Sequence, residues 1–313
     1  MRSTIERNWV ALRDSDAWRR VASPLSSTVV AKNGAVRSIG TARRYVATAG
    51  SVLRPASAFA DVKTFVLFIG HVKSGGTMMG ALLDAHRNAV VADEIDVLRY
   101  VAAGFDMQQI YRLLEKGARR EAMKGRVTAR RLDPYSFAVP GQSQGSHDDV
   151  HVIGDSRAGP TTRRLGREPH LIERLDRTLD GVDVRFVHVV RNPFDPISAM
   201  VRRGKRTHEE ATADYAAQCG RVDDLCRRVT HQVLRVHYEA FVDDPTSGLR
   251  RLCDFVRLEC RDDYLAACAA VIQRDRPGER HTVSWSREQI AAVERLIDDV
   301  PFLQGYTYGP VAR

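Results

Sequence analysis

The residues with the clearest chemistry are Lys73-Ser74-Gly75-Gly76-Thr77, which follow the apolar run Phe65-Val66-Leu67-Phe68-Ile69-Gly70. The stretch Met78–His86 then has helical character. A strand, a glycine-rich turn and a helix in that order aim backbone N–H groups and the positive end of a helix at an anion, most often phosphate. The loop of nucleoside triphosphatases places its Lys after the glycines, as G-x-x-x-x-G-K-[ST]. Here Lys73 precedes Ser74-Gly75-Gly76-Thr77, so the loop is phosphate-binding in style but departs from that pattern.

Alternating elements must hold such a loop in place. Phe65–Ile69 reads as a buried strand and Thr77–His86 as a helix. Ala89–Ala92 reads as a short strand, and Asp106–Met123 as a helix with Ile110, Leu113 and Leu114 as its apolar stripe. Asp133–Asp149 reads as a loop rich in Pro, Gly, Ser and Gln. Val150–Ile153 and Val184–Val190 read as strands, with the helix Pro169–Leu179 between them. Thr207 and Glu210 form a capping box that opens a long helix, and Ser286 with Gln289 opens another, running to Asp299. Val233–Val236 is a further strand. Strands alternating with helices predict an α/β fold, a three-layer sandwich with a central parallel sheet. Ligands then bind at the carboxyl ends of the strands.

Residues 1–60 read differently. They are rich in Arg, Ala, Ser and Val, poor in acids and without a strong period, and are expected to form a basic N-terminal arm. Arg43, Arg44 and Arg54 beside Tyr45, Val46 and Val52 suggest a peripheral membrane contact. Residues 61–313 are expected to form the main domain.

The chain of 313 residues carries 48 Lys+Arg against 39 Asp+Glu, a net charge of +9. Such a field gathers polyanionic ligands. No nucleic-acid-binding motif accompanies the charge, so no nucleic-acid partner is expected. No run approaches the roughly 18–20 apolar residues that span a bilayer. The cysteines, Cys219, Cys226, Cys253, Cys260 and Cys268, are odd in number and form no C-x-x-C pair. That usage suits a reducing, cytoplasmic location and small buried side chains. Nothing in the sequence fixes an oligomeric state.

Three segments together resemble the sulfotransferases that use PAPS (3′-phosphoadenosine 5′-phosphosulfate), in particular a bacterial, tyrosylprotein-sulfotransferase-like branch. The Lys73–Thr77 loop resembles that family's 5′-phosphosulfate loop. Val187–Ser198, in which a strand ends in Arg191-Asn192-Pro193 and Ser198 follows seven residues after Arg191, looks like its 3′-phosphate segment. Tyr238-Glu239-Ala240-Phe241-Val242-Asp243-Asp244-Pro245 resembles its Y-E-x-[LF]-V-x-[DN]-P block. Arg280–Trp285 and Pro301–Tyr306 also look like bacterial members. The resemblance implies a fold like that of P-loop nucleotide-binding proteins, PAPS as donor and no metal.

It also implies roles. Ser74, Gly75, Gly76, Thr77 and Met78 would bind the 5′-phosphate, and Lys73 would bind there too and compensate charge growing on the bridging oxygen. Arg191, whose planar fork matches phosphate oxygens, and Ser198 would take the 3′-phosphate. Tyr238 would touch the nucleotide, and Arg280 and Trp285 would close over the adenosine. Relatives use either a His at a strand end or a Glu after the first helix as general base. The Leu-Asp-Ala-His helix end and Asp93-Glu94 resemble the Glu-using type, which assigns the base to Glu94, with Asp93 as fallback and His71 or Asp155 after it. Where relatives often read Gly-Asp-Lys, this chain reads Gly154-Asp155-Ser156, and Arg157 is the candidate to replace that Lys.

The expected reaction moves a sulfonate from PAPS to a hydroxyl of a sugar, lipid or small natural product, giving a sulfate ester and PAP. Asp133–Asp149 and the preceding Arg119, Arg120, Lys124 and Arg126 are expected to shape the acceptor pocket. The rival readings are a P-loop-type kinase or NTPase and a non-catalytic nucleotide- or polyanion-binding protein.

Overall fold

The computed structural model describes residues 41, 44, 59–93, 95–127, 135–204, 206–274 and 278–309. Five parallel strands form one sheet in the order β2-β3-β1-β4-β5. They are β1 (Thr64–Gly70), β2 (Ala89–Ala92), β3 (Val152–Asp155), β4 (Asp183–Val190) and β5 (Val233–His237). Helices α1 (Gly76–Asp84), α2 (Val97–Ala102), α3 (Met107–Met123), α4 (Ala158–Arg167) and α5 (Leu171–Thr178) fall before β4. After it come α6 (Phe194–Arg202), α7 (His208–Arg228), α8 (Tyr238–Asp243), α9 (Pro245–Val256), α10 (Asp262–Ala270) and α11 (Arg287–Asp299).

β1 is central and buried along its whole length. Its side chains alternate between two cores, because successive Cβ atoms point to opposite faces of a sheet. Phe65, Leu67 and Ile69 pack with Leu98, Tyr100, Ile110, Leu114, Leu165 and Leu175 from α2–α5. Val66 and Phe68 pack with Met79, Leu82, Leu249, Leu252 and Leu265 from α1, α9 and α10. Coverage on both faces is why this strand reads as an unbroken apolar run. Each of its large side chains contributes about 1.5–3 kcal/mol by leaving water. A third core joins α6, α7 and α11 through Phe194, Ile197, Tyr215 and Ile297.

The strand order makes β1 a switch point. From it the chain runs to β2 and β3 on one side and to β4 and β5 on the other. Crevices beyond the carboxyl ends of strands at such a point are where open α/β sheets bind ligands. Lys73, Asp93, Ser156, Arg191 and Tyr238 all lie just past a strand end.

Most expected elements are present, and the capping boxes of Thr207 with Glu210 and Ser286 with Gln289 form as read. β3 differs: it runs Val152–Asp155 rather than Val150–Ile153. Gly154 and Asp155, which read as a turn, stay in the strand because the missing Cβ lets Gly154 pass directly under the Val66 carbonyl. Cys219, Cys253 and Cys268 are buried, Cys226 and Cys260 partly so, and all five are free thiols. Of the arm, Thr41 and Arg44 are described: Thr41 Oγ1 accepts from Arg99 Nε at 2.9 Å, and Arg44 donates to the Tyr100 hydroxyl of α2. The membrane contact expected of Arg43 and Arg54 lies outside the described residues. Among the described residues no helix is long and apolar enough to cross a membrane.

The β3–β1 contact is testable. A Cβ at Gly154 would overlap the Val66 carbonyl and stand 2.5 Å from Val66 Cγ1. Gly154→Ala should therefore cost about 1–3 kcal/mol, the usual penalty for overpacking. Denaturant unfolding reads this directly, and an unchanged midpoint would contradict the register.

Candidate active site

The turn between β1 and α1 is held by backbone geometry. Lys73 sits at φ 69° and Gly75 at φ 111°, both left-handed. Gly75 has a second reason to be glycine: a Cβ there would stand 2.9 Å from Tyr238 Cε2, so the tyrosine ring lies against the loop backbone. Gly75 is also the N-cap of α1, which has no side-chain cap and no acid in its first turn. The positive end of α1 is thus left for an anion. Thr77 is exposed there, whereas Met78 is buried in the core. Ser74 turns inward. Its hydroxyl is buried and donates to the His71 carbonyl at 2.8 Å, bracing the loop.

The β4 side supplies Arg191. Its guanidinium lies 4.4 Å from the centre of the Tyr238 ring, donates to the Lys73 carbonyl at 3.3 Å and pairs with Asp195 at 3.1 Å. Burial opposes its charge, but Asp195, Tyr238, Glu239 and Glu279 together hold its pKa above the ordinary arginine value. Arg191 is therefore a fixed cation facing the loop. Asp195 also accepts from the Arg280 amide at 2.9 Å, and the Arg280 side chain lies 3.5 Å away. Ser198 is fully buried, and its Oγ accepts from Trp285 Nε1 at 3.2 Å. Glu239 receives the Asn192 amide at 2.9 Å and the Tyr306 hydroxyl at 2.7 Å, which ties the Tyr238 block to β4.

The β3 side carries carboxylates. Asp155 is buried and accepts from the amides of Val97 at 2.9 Å and Arg157 at 3.2 Å. Burial pushes its carboxyl up to about 7, with the charges of Asp93 and Asp96 adding to the effect and the two amides opposing it. Asp155 thus fastens the start of α2 to the end of β3. Ser156, where relatives often carry Lys, donates its hydroxyl to Asp93 Oδ1 at 3.2 Å. A Cβ at Gly80 would stand 2.6 Å from Ser156 Oγ, which leaves little room there for a longer side chain.

These groups surround one cavity of about 640 Å³. Lys73, Gly75, Gly76, Thr77, Met78 and Arg157 line it, as do Arg191 and Tyr238. So do Arg120, Lys124 and Arg126, with Tyr135 and Phe137 of the Pro/Gly/Ser/Gln-rich loop. Arg119 instead pairs with Glu115 at 3.1 Å. Ser74, Ser198, Arg280 and Trp285 are not among the residues that line it. Glu94 lies outside the described residues; its neighbour Asp93 lines the cavity. The sequence reading did not single out Arg163 in the cavity wall, or Gln218, whose buried amide donates to the carbonyls of Gly70 at 2.9 Å and Gly159 at 3.1 Å. Neither belongs to a local motif, and only the packing of α7 on α4 brings Gln218 to the strand end.

Residues 66–263 match the sequence model of the sulfotransferase family, well over half of the chain. The chain belongs to the sulfotransferase family. No curated protein matches it. Solved structures similar to it include the sulfotransferase domain of the Synechococcus PCC 7002 olefin synthase, at 16% identity and TM-score 0.46, covering 79% of this chain and 96% of that one. A sulfotransferase from Mycobacterium avium matches at 11% identity and TM-score 0.45, over 92% of each chain. A mouse sulfotransferase complexed with PAP matches at 12% identity and TM-score 0.40, over 78% of this chain and 86% of that one.

His71 is held under the loop. Its ring stacks on Tyr215 at 3.7 Å between centroids, and Nε2 donates to the Tyr215 carbonyl at 3.0 Å. Burial, with the charge of Arg163 adding, lowers its pKa from 6.5 to about 4, although the Tyr215 hydrogen bond opposes the shift. A depressed His stabilises the fold fully above its unfolded pKa and loses that contribution as pH falls through the folded one. The window is therefore pH 6.5 down to about 4, and the loss about 3 kcal/mol at its largest. Unfolding of wild type and His71→Gln compared across that range should show a steeper acid loss in the wild type. Parallel curves would contradict a buried, neutral His71.

Proposed function

We propose that residues 61–313 form a PAPS-dependent sulfotransferase domain. The observation that supports this best is the grouping of an uncapped helix N-terminus, the Gly75 backbone under Tyr238, and the buried Arg191 around one loop. PAPS carries two phosphate groups, and the loop and Arg191 offer two separate anion sites joined by one aromatic face. Lys73, ahead of the glycines, suits the bridging oxygen of a phosphosulfate.

PAPS supplies the sulfonate: the acceptor oxygen bonds to sulfur as the bond from sulfur to the 5′-phosphate oxygen breaks, and PAP leaves. The amides at the start of α1 and the exposed Thr77 hydroxyl hold the 5′-phosphate. Lys73 offsets the negative charge that grows on the oxygen left on it, which is positioning plus charge stabilisation. Arg191 takes the 3′-phosphate with its remaining donors. Ser198 keeps its own O–H as a donor while accepting from Trp285, which aligns it behind Arg191. Arg157, at the β3 end of the cavity, faces the sulfonate. Glu94 takes the acceptor proton. Asp93, oriented by Ser156, is the alternative base. The acceptor is a hydroxylated sugar, lipid or small natural product that enters past Arg120, Lys124, Tyr135 and Phe137.

Substitutions separate these roles. Arg191→Ala removes a charge-assisted contact worth about 1.5–3 kcal/mol, so PAP should bind roughly 10–100-fold more weakly. Lys73→Ala should mainly lower turnover at saturating PAPS, because its charge matters most in the transition state. Glu94→Gln should cost about 10²–10⁴-fold in turnover with PAP affinity preserved. The measurement is sulfur transfer from labelled PAPS beside a PAP titration for each variant. Normal turnover in Lys73→Ala would overturn the role of Lys73. If Asp93→Asn is the inactive variant and Glu94→Gln is active, the base is Asp93.

A further inference from the structure

Arg163 is a cation of the cavity wall that the donor's two phosphates do not account for. Arg163 lies in α4, half-buried, and lines the cavity with Val72, Gly159 and Pro160. A Cβ at Gly159 would stand 3.2 Å from the Val72 amide nitrogen and 3.5 Å from Arg163 Nη1. The guanidinium and Val72, the residue that precedes Lys73, thus both lie against Gly159. This is the flank of the loop opposite the one covered by Tyr238. Among the described residues no carboxylate pairs with Arg163, while its neighbour Arg164 takes both Asp96 and Glu168.

The surroundings of Arg163 are positive. Burial lowers its pKa first, and the charges of Arg167, Arg221, Arg157 and Arg206 lower it further. Arg206 is paired with Asp214, and Arg221 donates to Gln218 at 3.2 Å. A half-buried cation among like charges is costly unless an anion arrives. Its position is also fixed. Thr162 accepts from the Gly70 amide at 2.8 Å, and Gln218 ties Gly70 to Gly159. The start of α4 is thereby locked to the end of β1.

From this placement we infer that Arg163 is an acceptor-binding residue, and that the acceptor carries an anionic group, a carboxylate, phosphate or sulfate, apart from the hydroxyl that is sulfated. The inference rests on the sulfotransferase reading above. The charged parts of the donor are its phosphosulfate, met in this reading by the loop, Lys73 and Arg157, and its 3′-phosphate, met by Arg191. Ribose and adenine bring no charge to the Val72 side. An anion there belongs to the second substrate. Arg157 lines the same cavity and acts on the charge of Arg163, so an acceptor held by Arg163 would lie within the field of both.

The test uses the full chain saturated with PAP, so that both donor phosphate sites are filled. The probes are inorganic phosphate, glucuronate and its neutral counterpart glucose, read by thermal shift and calorimetry. Phosphate and glucuronate should bind the PAP-saturated wild type at millimolar concentrations, and glucose should not. Arg163→Gln should weaken both anions at least tenfold, with PAP affinity within twofold of wild type, and Arg163→Lys should recover part of the binding. An unfolding midpoint at or above that of the wild type without ligand shows that the variants are folded. A tenfold loss of PAP affinity in Arg163→Gln would assign the residue to the donor and overturn the inference. Equal binding of glucose and glucuronate, or full anion binding in Arg163→Gln, would overturn it and leave the donor reading standing. Failure of PAP to bind the wild type would bring down the donor reading and this inference with it.

Discussion

The site depends on the contact of Tyr238 with both Gly75 and Arg191. The ring lies against a backbone that tolerates no Cβ, with the Arg191 guanidinium 4.4 Å from its centre. Arg191 then donates to the Lys73 carbonyl, so three segments distant in sequence close on one another. An arginine over an aromatic face gains about 0.5–2 kcal/mol. More important is the positional effect. Lys73 is held at a left-handed φ with its carbonyl engaged, which directs the rest of the loop. Contacts within the chain hold the loop's shape, and donors fixed in this way cost nothing to reorient as charge develops beside them.

The sheet makes that contact available. β4 pairs with β1 from Thr64 to Gly70, and β5 pairs with β4 up to His237. Arg191 and Tyr238 each follow directly on their strands, so parallel register alone brings them beside the loop. On the other flank, β3 pairs with β1 only as far as Leu67 opposite Asp155. The chain there turns earlier, which opens the space lined by Ser156, Arg157 and the first turn of α4. One flank of the loop is thus tight and aromatic, and the other open and cationic. Under the proposed reading, the tight flank holds the nucleotide and the open flank admits the acceptor.

Local features were legible in the sequence, and relations between segments were not. The strand–loop–helix unit around Lys73 was readable because turn, apolar run and helix are contiguous. The Arg191 and Tyr238 blocks were readable because each follows its strand directly. Helix α4 was not anticipated: it starts directly behind β3, with Pro160 in its first turn, where the missing N–H is no loss. Helix α9 begins at Pro245 behind Asp244, which accepts from Ser247 at 3.1 Å, a start signal hidden inside the Tyr238 block. The inward turn of Ser74 and the bond from Trp285 to Ser198 could not be read, since their partners are set by tertiary packing. The isolation of Arg163 is of the same kind. It follows from where Asp96 and Glu168 point, not from the residues beside it in sequence.

The central claim is that this cavity is built for a nucleotide with phosphate at both the 3′ and 5′ positions. Thermal unfolding of the full chain with PAP, and separately with ATP and Mg²⁺, tests it most directly. A ligand that binds only the native state stabilises it by about 2.7 kcal/mol at a hundredfold excess over its dissociation constant. PAP should raise the midpoint accordingly, and ATP with Mg²⁺ should leave it nearly unchanged. Stabilisation by ATP with Mg²⁺ and none by PAP would contradict the account.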